Sequence, residues 1–215
     1  GRSLIETGIA WFWSNEKIQS QINYEITGLD LLLPKDSNKG NLIIFKHSQH
    51  LELDARLLAM NAPMYGVSRS HNSASMNRIQ DKGRLSSLKD TADKNNPRKF
   101  MKWLKSGKNV LYAIDQDYGW DHSVRLNFFK QEAATITTTK KIIDATNSNL
   151  LFINSYYENN KLILKIELID HLELDSTALA QKINDIMEEK ILLHPAEYLW
   201  IHRRFKSTLG KNFYK

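Results

Sequence analysis

The chain has 215 residues, is 41% hydrophobic with five tryptophans, and carries a formal net charge of +6. That length and apolar content favour one packed domain over disorder, and the absence of cysteine excludes a disulfide framework, a thiol nucleophile and a cysteine-based zinc site. A pI near 9.3 points to an anionic partner, whether nucleic acid, phosphate-bearing lipid or an acidic carrier protein, while no apolar run approaches the roughly 18 to 20 residues that span a bilayer.

The chain opens Gly1-Arg2-Ser3-Leu4 with no initiator methionine and no secretory signal. A single domain over residues 1–215, the remainder of a longer protein, is therefore expected. Ile5 to Gln21 reads as a helix. Its crowded Ala10-Trp11-Phe12-Trp13 offers more apolar surface than one core-facing stripe requires, which suits either a buried first helix or partial insertion into a membrane surface. Tyr24 to Leu33 reads as a strand, Pro34 to Gly40 as a turn cluster, and Asn41 to Phe45 as a second strand. A helix from His50 to Asn61 follows, stopped before Pro63, and Met64 to Ser68 is the next strand.

Asn72 to Lys82 is expected to be helical, followed by a polar loop to Asn96 and a helix starting at Pro97 with Phe100, Trp103 and Leu104. Val110 to Ile114 is a strand running straight into Asp115-Gln116-Asp117-Tyr118-Gly119. Ala134 to Asn147 reads as a helix. Leu150 to Tyr157 and Lys161 to Ile169 alternate in period two around Glu158-Asn159-Asn160, a hairpin signature, and Ser176 to Leu193 closes with helical spacing. This alternation, with a late antiparallel pair, predicts an α/β fold with a mixed β-sheet flanked by helices.

The chemistry gathers at His47-Ser48-Gln49-His50-Leu51-Glu52, directly after the strand Asn41 to Phe45. An imidazole takes a proton near neutral pH, and a carboxylate on its second nitrogen fixes the tautomer. In open α/β sheets, sites lie at the carboxyl ends of strands. His47 and Glu52 are about 140° apart on a regular helix, so they meet only if His47 lies on the strand-to-helix turn and Glu52 in the first helical turn. His50 and Asp54 form a rival pair four apart, readable as a solvated helix face. His50-Leu51-Glu52-Leu53-Asp54 recurs at His171-Leu172-Glu173-Leu174-Asp175, where Leu168 replaces His47. The unmatched flanks mark the repeat as coincidence. No standard metal-ligand spacing is present.

Asp115 and Asp117 either cap a turn or build the same site as His47. Arg69, His71 and Asn72 follow another strand and Arg84 lies a helix further on, where guanidinium donors suit an oxyanion or phosphate. Trp200-Ile201-His202-Arg203-Arg204-Phe205-Lys206 interleaves aromatic and basic residues and fits a nucleic-acid surface, a solvated tail or a phosphate clamp. Glycine-rich nucleotide loops and the serine-hydrolase elbow are missing.

Taken together, these residues resemble the lipid A biosynthesis late acyltransferases, the lauroyl/myristoyl acyltransferase family of Gram-negative bacteria. The resemblance runs from Glu6-Thr7-Gly8 and Ala10-Trp11-Phe12-Trp13 through His47-x4-Glu52-Leu53 with Arg56. It continues through Arg69-Ser70-His71-Asn72, Gly83-Arg84 and Asp115 to Gly119, and closes on Tyr198 to Lys206. It implies a glycerolipid-acyltransferase-like fold and a single acyltransferase catalytic domain. Family members normally begin with a membrane-spanning helix and further sequence that this chain does not include, as expected of the remainder of a longer protein.

The resemblance also implies a reaction. His47, oriented by Glu52, would deprotonate the hydroxyl of a 3-hydroxyacyl chain on an anionic lipid A precursor, which attacks the thioester of acyl carrier protein. Arg84 would stabilise the oxyanion or hold substrate, Asp117 support the site, and Arg203 and Arg204 engage lipid phosphates, with Arg69 a binding or structural residue. Acyl carrier protein is the implied co-substrate and partner, with no metal, no other cofactor and no nucleic acid. The implied location is the cytoplasmic face of the bacterial inner membrane. A glycerophospholipid acyltransferase is the nearest alternative; a basic nucleic-acid-binding domain and an idle lipid-binding homologue are the others.

Overall fold

The computed structural model describes residues 1–33, 39–69 and 73–214. Most of the turn cluster at 34–40, together with His71 and Asn72, lies outside the described residues. In chain order the elements begin with α1 (Arg2–Phe12), α2 (Asn15–Gln21), β1 (Tyr24–Thr27), β2 (Asn41–Phe45), α3 (Leu51–Asn61) and β3 (Met64–Ser68). They continue with α4 (Ala74–Leu85), β4 (Asp90–Asp93), α5 (Pro97–Lys105), β5 (Asn109–Ala113), β6 (Val124–Phe128) and β7 (Gln131–Thr135). Last come α6 (Thr138–Thr146), β8 (Asn149–Glu158), β9 (Lys161–Leu168), α7 (Ser176–Leu193) and the short α8 (Lys206–Leu209).

Seven strands form one mixed sheet in the order β1-β9-β8-β2-β5-β3-β4, and β6 and β7 form a separate hairpin. β8, β2, β5, β3 and β4 run parallel, while β9 turns back antiparallel on β8 and carries β1 with it. The expected α/β class, a mixed sheet flanked by helices, is therefore the observed one. β2 reads as a continuous apolar run because both of its faces are covered, as parallel strands require. Leu42 and Ile44 face a core built with Phe100, Leu104, Ile143, Leu179 and Met187, and Ile43 faces the opposite core with Ala10, Ile18, Leu53 and Leu57.

The central register sets up the site. Asn41 pairs with Asn109 and Phe45 with Ala113 along β2 and β5, and the constant offset of 68 persists past both strand ends. A row of amides crosses the other end of the sheet. Asn41 donates to Asn109 Oδ1 at 2.7 Å and Asn149 donates to Asn41 Oδ1 at 2.9 Å, while Asn109 also donates to the Leu32 carbonyl at 3.0 Å.

Several boundaries differ from the sequence expectation. The single helix expected from Ile5 to Gln21 is two, because Ser14 accepts from the Lys17 amide and caps a new helix at Asn15. Buried Arg56 braces the break by donating to the Trp13 carbonyl and to Asn15 Oδ1 at 3.1 and 2.9 Å. The strand expected to reach Leu33 stops at Thr27, where Gly28 with φ of 80° turns the chain into a 3-10 helix over Leu29–Leu32. β4 lies in the segment read as a polar loop; only its Ala92 is buried, so it carries no apolar pattern. The helix expected from Ala134 starts at Thr138, and Ala133, Ala134 and Thr135 are instead the buried end of β7. The second copy of the His-Leu-Glu-Leu-Asp run is a loop with Leu172 81% exposed, and its Asp175 caps α7 by accepting from the Thr177 and Ala178 amides.

Candidate active site

His47 leaves β2 at its carboxyl end, two residues after the Phe45–Ala113 pair, and Asp115 leaves β5 at the same offset. The two therefore meet by register alone. The His47 amide donates to Asp115 Oδ2 at 2.9 Å, and the ring Nδ1 hydrogen-bonds Asp115 Oδ1. Gln116 Nε2 lies 2.9 Å from His47 Nε2. An amide nitrogen can only donate, so this network assigns the Nδ1–H tautomer, with the Nε2 lone pair, which accepts from Gln116 at the cavity wall, as the basic position.

Burial alone would lower the His47 pKa, but the Asp115 carboxylate outweighs it and holds the imidazole above its ordinary value, against an opposing pull from Arg84. Burial would likewise raise Asp115; His47 beside it and the more distant Arg204 charge bring it down to about 2. His202 lies over His47, ring centroids 6.2 Å apart and 18° from parallel, and its Nε2 accepts the Asp117 amide at 3.2 Å. Burial depresses the His202 pKa, in keeping with that acceptor role.

The expected partnership of Glu52 with His47 is not formed. Glu52, in the first turn of α3, accepts from Trp11 Nε1 at 2.8 Å and takes the Arg84 Nε–H on both oxygens at 3.1 Å, with Arg84 Nη2 also bound to Oε1. His47 does lie on the strand-to-helix turn and Glu52 in the first turn of α3, but α3 presents the Glu52 carboxylate to α1 and α4, where Trp11 and Arg84 take it, while β5 delivers Asp115 directly beside the ring. Gly83 makes the Glu52 contacts possible. A Cβ there would fall 2.4 Å from the Trp11 ring, so a side chain would push the indole off the carboxylate.

His47, Arg69, Arg84, Lys94, Gln116 and Tyr118 are among the residues lining a cavity of about 180 Å³. A narrower apolar slot beside it is lined by Phe45, Leu51, Ala55, Gly66, Val67 and Leu88, with Glu52 and Arg84 at its polar side. The cavity thus joins a neutral base, guanidinium donors and an apolar recess, a set suited to deprotonating a hydroxyl next to an ester or thioester carbonyl.

The remaining expected residues separate into two groups. Arg69 is exposed on the cavity wall and Arg203 is exposed on the surface. Arg204 is buried, donating to the Ala134 carbonyl at 2.7 Å and to Thr135 Oγ1 at 2.9 Å. Its guanidinium anchors β7 and is not presented to a lipid phosphate, which corrects that expectation. Asp117 is also structural in its contacts: it accepts from the Ser207 amide and hydroxyl at 2.7 Å and from the Gly119 amide at 2.9 Å, tying the loop after β5 to α8. Gln116, Lys94, Tyr118 and His202 were not assigned roles from sequence. Gln116 had the clearest signal, standing between two aspartates at a strand end. Among the described residues, no group of three or more His, Asp or Glu side chains is disposed to hold a metal ion.

This sheet, with its site at the carboxyl ends of β2 and β5, is the fold of a glycerolipid acyltransferase. It aligns with the crystal structure of the 1-acyl-sn-glycerophosphate acyltransferase of Thermotoga maritima at a TM-score of 0.52 and 15% identity, covering 91% of this chain and 82% of that one. The family model for bacterial lipid A biosynthesis acyltransferases matches residues 1–207, and the chain belongs to that family. It is 33% identical to the lipid A biosynthesis palmitoleoyltransferase of Escherichia coli K12 over 96% of this chain and 69% of the relative. The lauroyltransferase of the same organism matches with the same identity and coverage. Acyl transfer in lipid A biosynthesis is therefore the chemistry to be explained.

Proposed function

We propose that the chain transfers a fatty acyl group from acyl carrier protein to the hydroxyl of a 3-hydroxyacyl chain on a lipid A precursor, at the cytoplasmic face of the bacterial inner membrane. His47 Nε2 takes the hydroxyl proton as the oxygen attacks the thioester carbonyl. The tetrahedral intermediate then collapses, its carbon–sulfur bond breaks, and His47 returns the proton to the departing thiolate. The products are an acyloxyacyl ester and free carrier thiol. Asp115 stabilises the transient imidazolium and fixes its orientation. Arg84, held in place by Glu52, is the donor for the developing oxyanion. The reaction calls for no metal and no cofactor beyond the acyl-carrier thioester.

The observation that carries this reading is the His47–Asp115 pair at the cavity, with Nε2 as the basic position. Exposed Arg69 and Arg203, within a chain of net charge +6, suit an anionic lipid and an acidic carrier. Among the described residues no helix is long and apolar enough to cross a membrane. Leu4, Ile5 and Phe12 on α1 and Met76 and Ile79 on the neighbouring α4 are exposed, an arrangement suited to lying in a membrane interface.

Mass spectrometry of a lipid A precursor incubated with several acyl-carrier donors tests the proposal. The expected product gains one acyl mass, and His47→Ala lowers the rate by a factor on the order of 10² to 10⁴ while folding normally. Near-normal turnover by that variant would sink the assignment of the base. Preferential acylation of a lysophosphatidate acceptor would favour the glycerophospholipid reading, and salt-sensitive oligonucleotide binding indifferent to His47 would favour a nucleic-acid module.

A further inference from the structure

His50 is fully buried three residues beyond His47, and both of its ring nitrogens meet carboxylates. Nδ1 lies 2.5 Å from Glu6 Oε2 on α1, and Nε2 is bound to Glu197 Oε2 in the 3-10 turn after α7. A ring that donates to a carboxylate on each side is an imidazolium. The other groups facing it keep the charges balanced. Asp54 of α3 lies beneath, accepting from the Ser48 and Ser155 hydroxyls at 3.2 and 2.6 Å; Tyr157 of β8 meets the ring edge-on; Arg2 bonds Glu6 at 2.8 Å. Lys46, buried, is held by Asn154 Oδ1 and the Ser155 carbonyl at 2.5 and 3.2 Å.

The turn between His47 and His50 is otherwise held by backbone contacts to the segment that Glu197 opens. The Gln49 amide donates to the Glu197 carbonyl at 3.0 Å, Ser48 bridges Tyr198, and the Leu199 amide donates to the His47 carbonyl at 2.9 Å. His50 is thus joined through its own ring to the strip of chain that grips the His47 carbonyl. The sequence reading of His50 and Asp54 as a solvated pair is overturned, since both are buried.

We infer that His50 is a positioning residue: its ring, shared between Glu6 and Glu197, locks the first helix and the Glu197–Leu199 segment onto the turn after β2 and so holds His47 in line with Asp115. The inference rests on the reading of His47 as the base. Losing one carboxylate loosens the turn, weakens the His47–Asp115 contact and lets the burial of His47 and the Arg84 charge dominate its titration.

The test uses the full chain with nitrogen-15-labelled histidine and compares wild type with Glu197→Gln and His50→Gln. In the wild type the His50 ring carries both N–H groups at pH 6, and His47 titrates above the ordinary histidine value. In Glu197→Gln the His47 midpoint falls by about half a pH unit or more. The kcat for acyl transfer falls about tenfold, with KM for the acyl-carrier donor within about twofold, as for a displaced base rather than a lost binding contact. A neutral His50 ring in the wild type at pH 6 would overturn the inference even if both variants failed to fold. So would a folded Glu197→Gln with an unmoved His47 midpoint and unchanged kcat. Because the His47 titration is read without substrate, failure of the acyl-transfer reading leaves this arm standing as a separate result.

Discussion

His47 and His50 are three residues apart on one turn, yet their surroundings are opposite. His47 gives one nitrogen to a carboxylate and turns the other, in reach of Gln116, to the cavity wall, which suits its proposed role of gaining and losing a proton within a catalytic cycle. His50 has a carboxylate on each nitrogen and no exposure, so neither nitrogen is free to take a substrate proton, and in the inferred role its ring acts as a strut. Residue type sets the pKa range of a histidine; the number of carboxylates and the presence of an open face decide whether it turns over or holds still. The two histidines of the rival pairs seen in the sequence thus stand side by side in different surroundings, each bound to carboxylates other than the one its spacing offered.

The largest effect expected on this contrast is from Asp115→Asn. With the carboxylate gone, kcat falls by a factor on the order of 10² to 10⁴. In the proposed mechanism the base acts deprotonated, so wild-type activity is expected to rise with pH through the raised His47 pKa. In the variant, burial and Arg84 lower that pKa, and the acid limb of kcat/KM moves to lower pH even as the plateau drops. An acid limb that stays in place would break the assignment of Asp115.

Glu6→Gln is expected to act on stability, by about 2 kcal/mol for one charge-assisted buried contact, read by denaturant unfolding. Burial lowers the His50 pKa, and Glu6, Asp54 and Glu197 more than restore it, so the folded value lies above the unfolded one. That stabilisation is complete below about pH 6.5 and is lost as pH rises through the folded pKa. The gap between wild type and Glu6→Gln should accordingly narrow at high pH. The smallest effect is expected at the repeat on the exposed loop: His171→Ala should change stability by less than about 0.5 kcal/mol and leave kcat unchanged. A larger effect there would mean that the shared pentapeptide, and not its place after a central strand or on a loop, carries the function.

The two hairpins show which parts of this fold were legible. Asn159 and Asn160 both take positive φ, 49° and 60°, and asparagine is a residue that tolerates this, so β8 and β9 were readable around them. Phe129 and Lys130 take nearly the same angles, 53° and 59°, with neither glycine nor asparagine to announce a turn. That hairpin is held from outside. Gln181 and Asn184 of α7 bond the Asn127 backbone, and Phe128 is packed by Phe205 and the Arg204 guanidinium. No local pattern reports such support: from sequence, Val124 to Ala133 is assigned no element, and the end of β7, from Ala134, is taken into a helix.

The candidate site divides in the same way. His47 and the acids at Asp115 and Asp117 were legible because they follow apolar runs that had to be strands. The exchange of partners was not. That Asp115 serves His47 and Glu52 serves Arg84 depends on which strand lies next to β2, and five residues of spacing between His47 and Glu52 carry no information about a neighbour 68 positions away. Arg204 misled for a related reason: a basic residue in an aromatic-basic run reads as surface, but here its guanidinium is turned inward onto the Ala134 carbonyl and the Thr135 hydroxyl of β7.

The row of amides at Asn149, Asn41 and Asn109 works as a key for the site at the opposite end of the sheet. A slip of β2 by one residue against β5 would strand the buried Asn41 and Asn109 amides without partners, at roughly 1 to 3 kcal/mol for each. The same slip would set Lys46 or Ser48 opposite Asp115, and neither places an imidazole there. Six residues of strand, about 20 Å, separate the key from the chemistry. The identity of the proton acceptor is in this sense chosen at the foot of the sheet, by side chains that never touch a substrate.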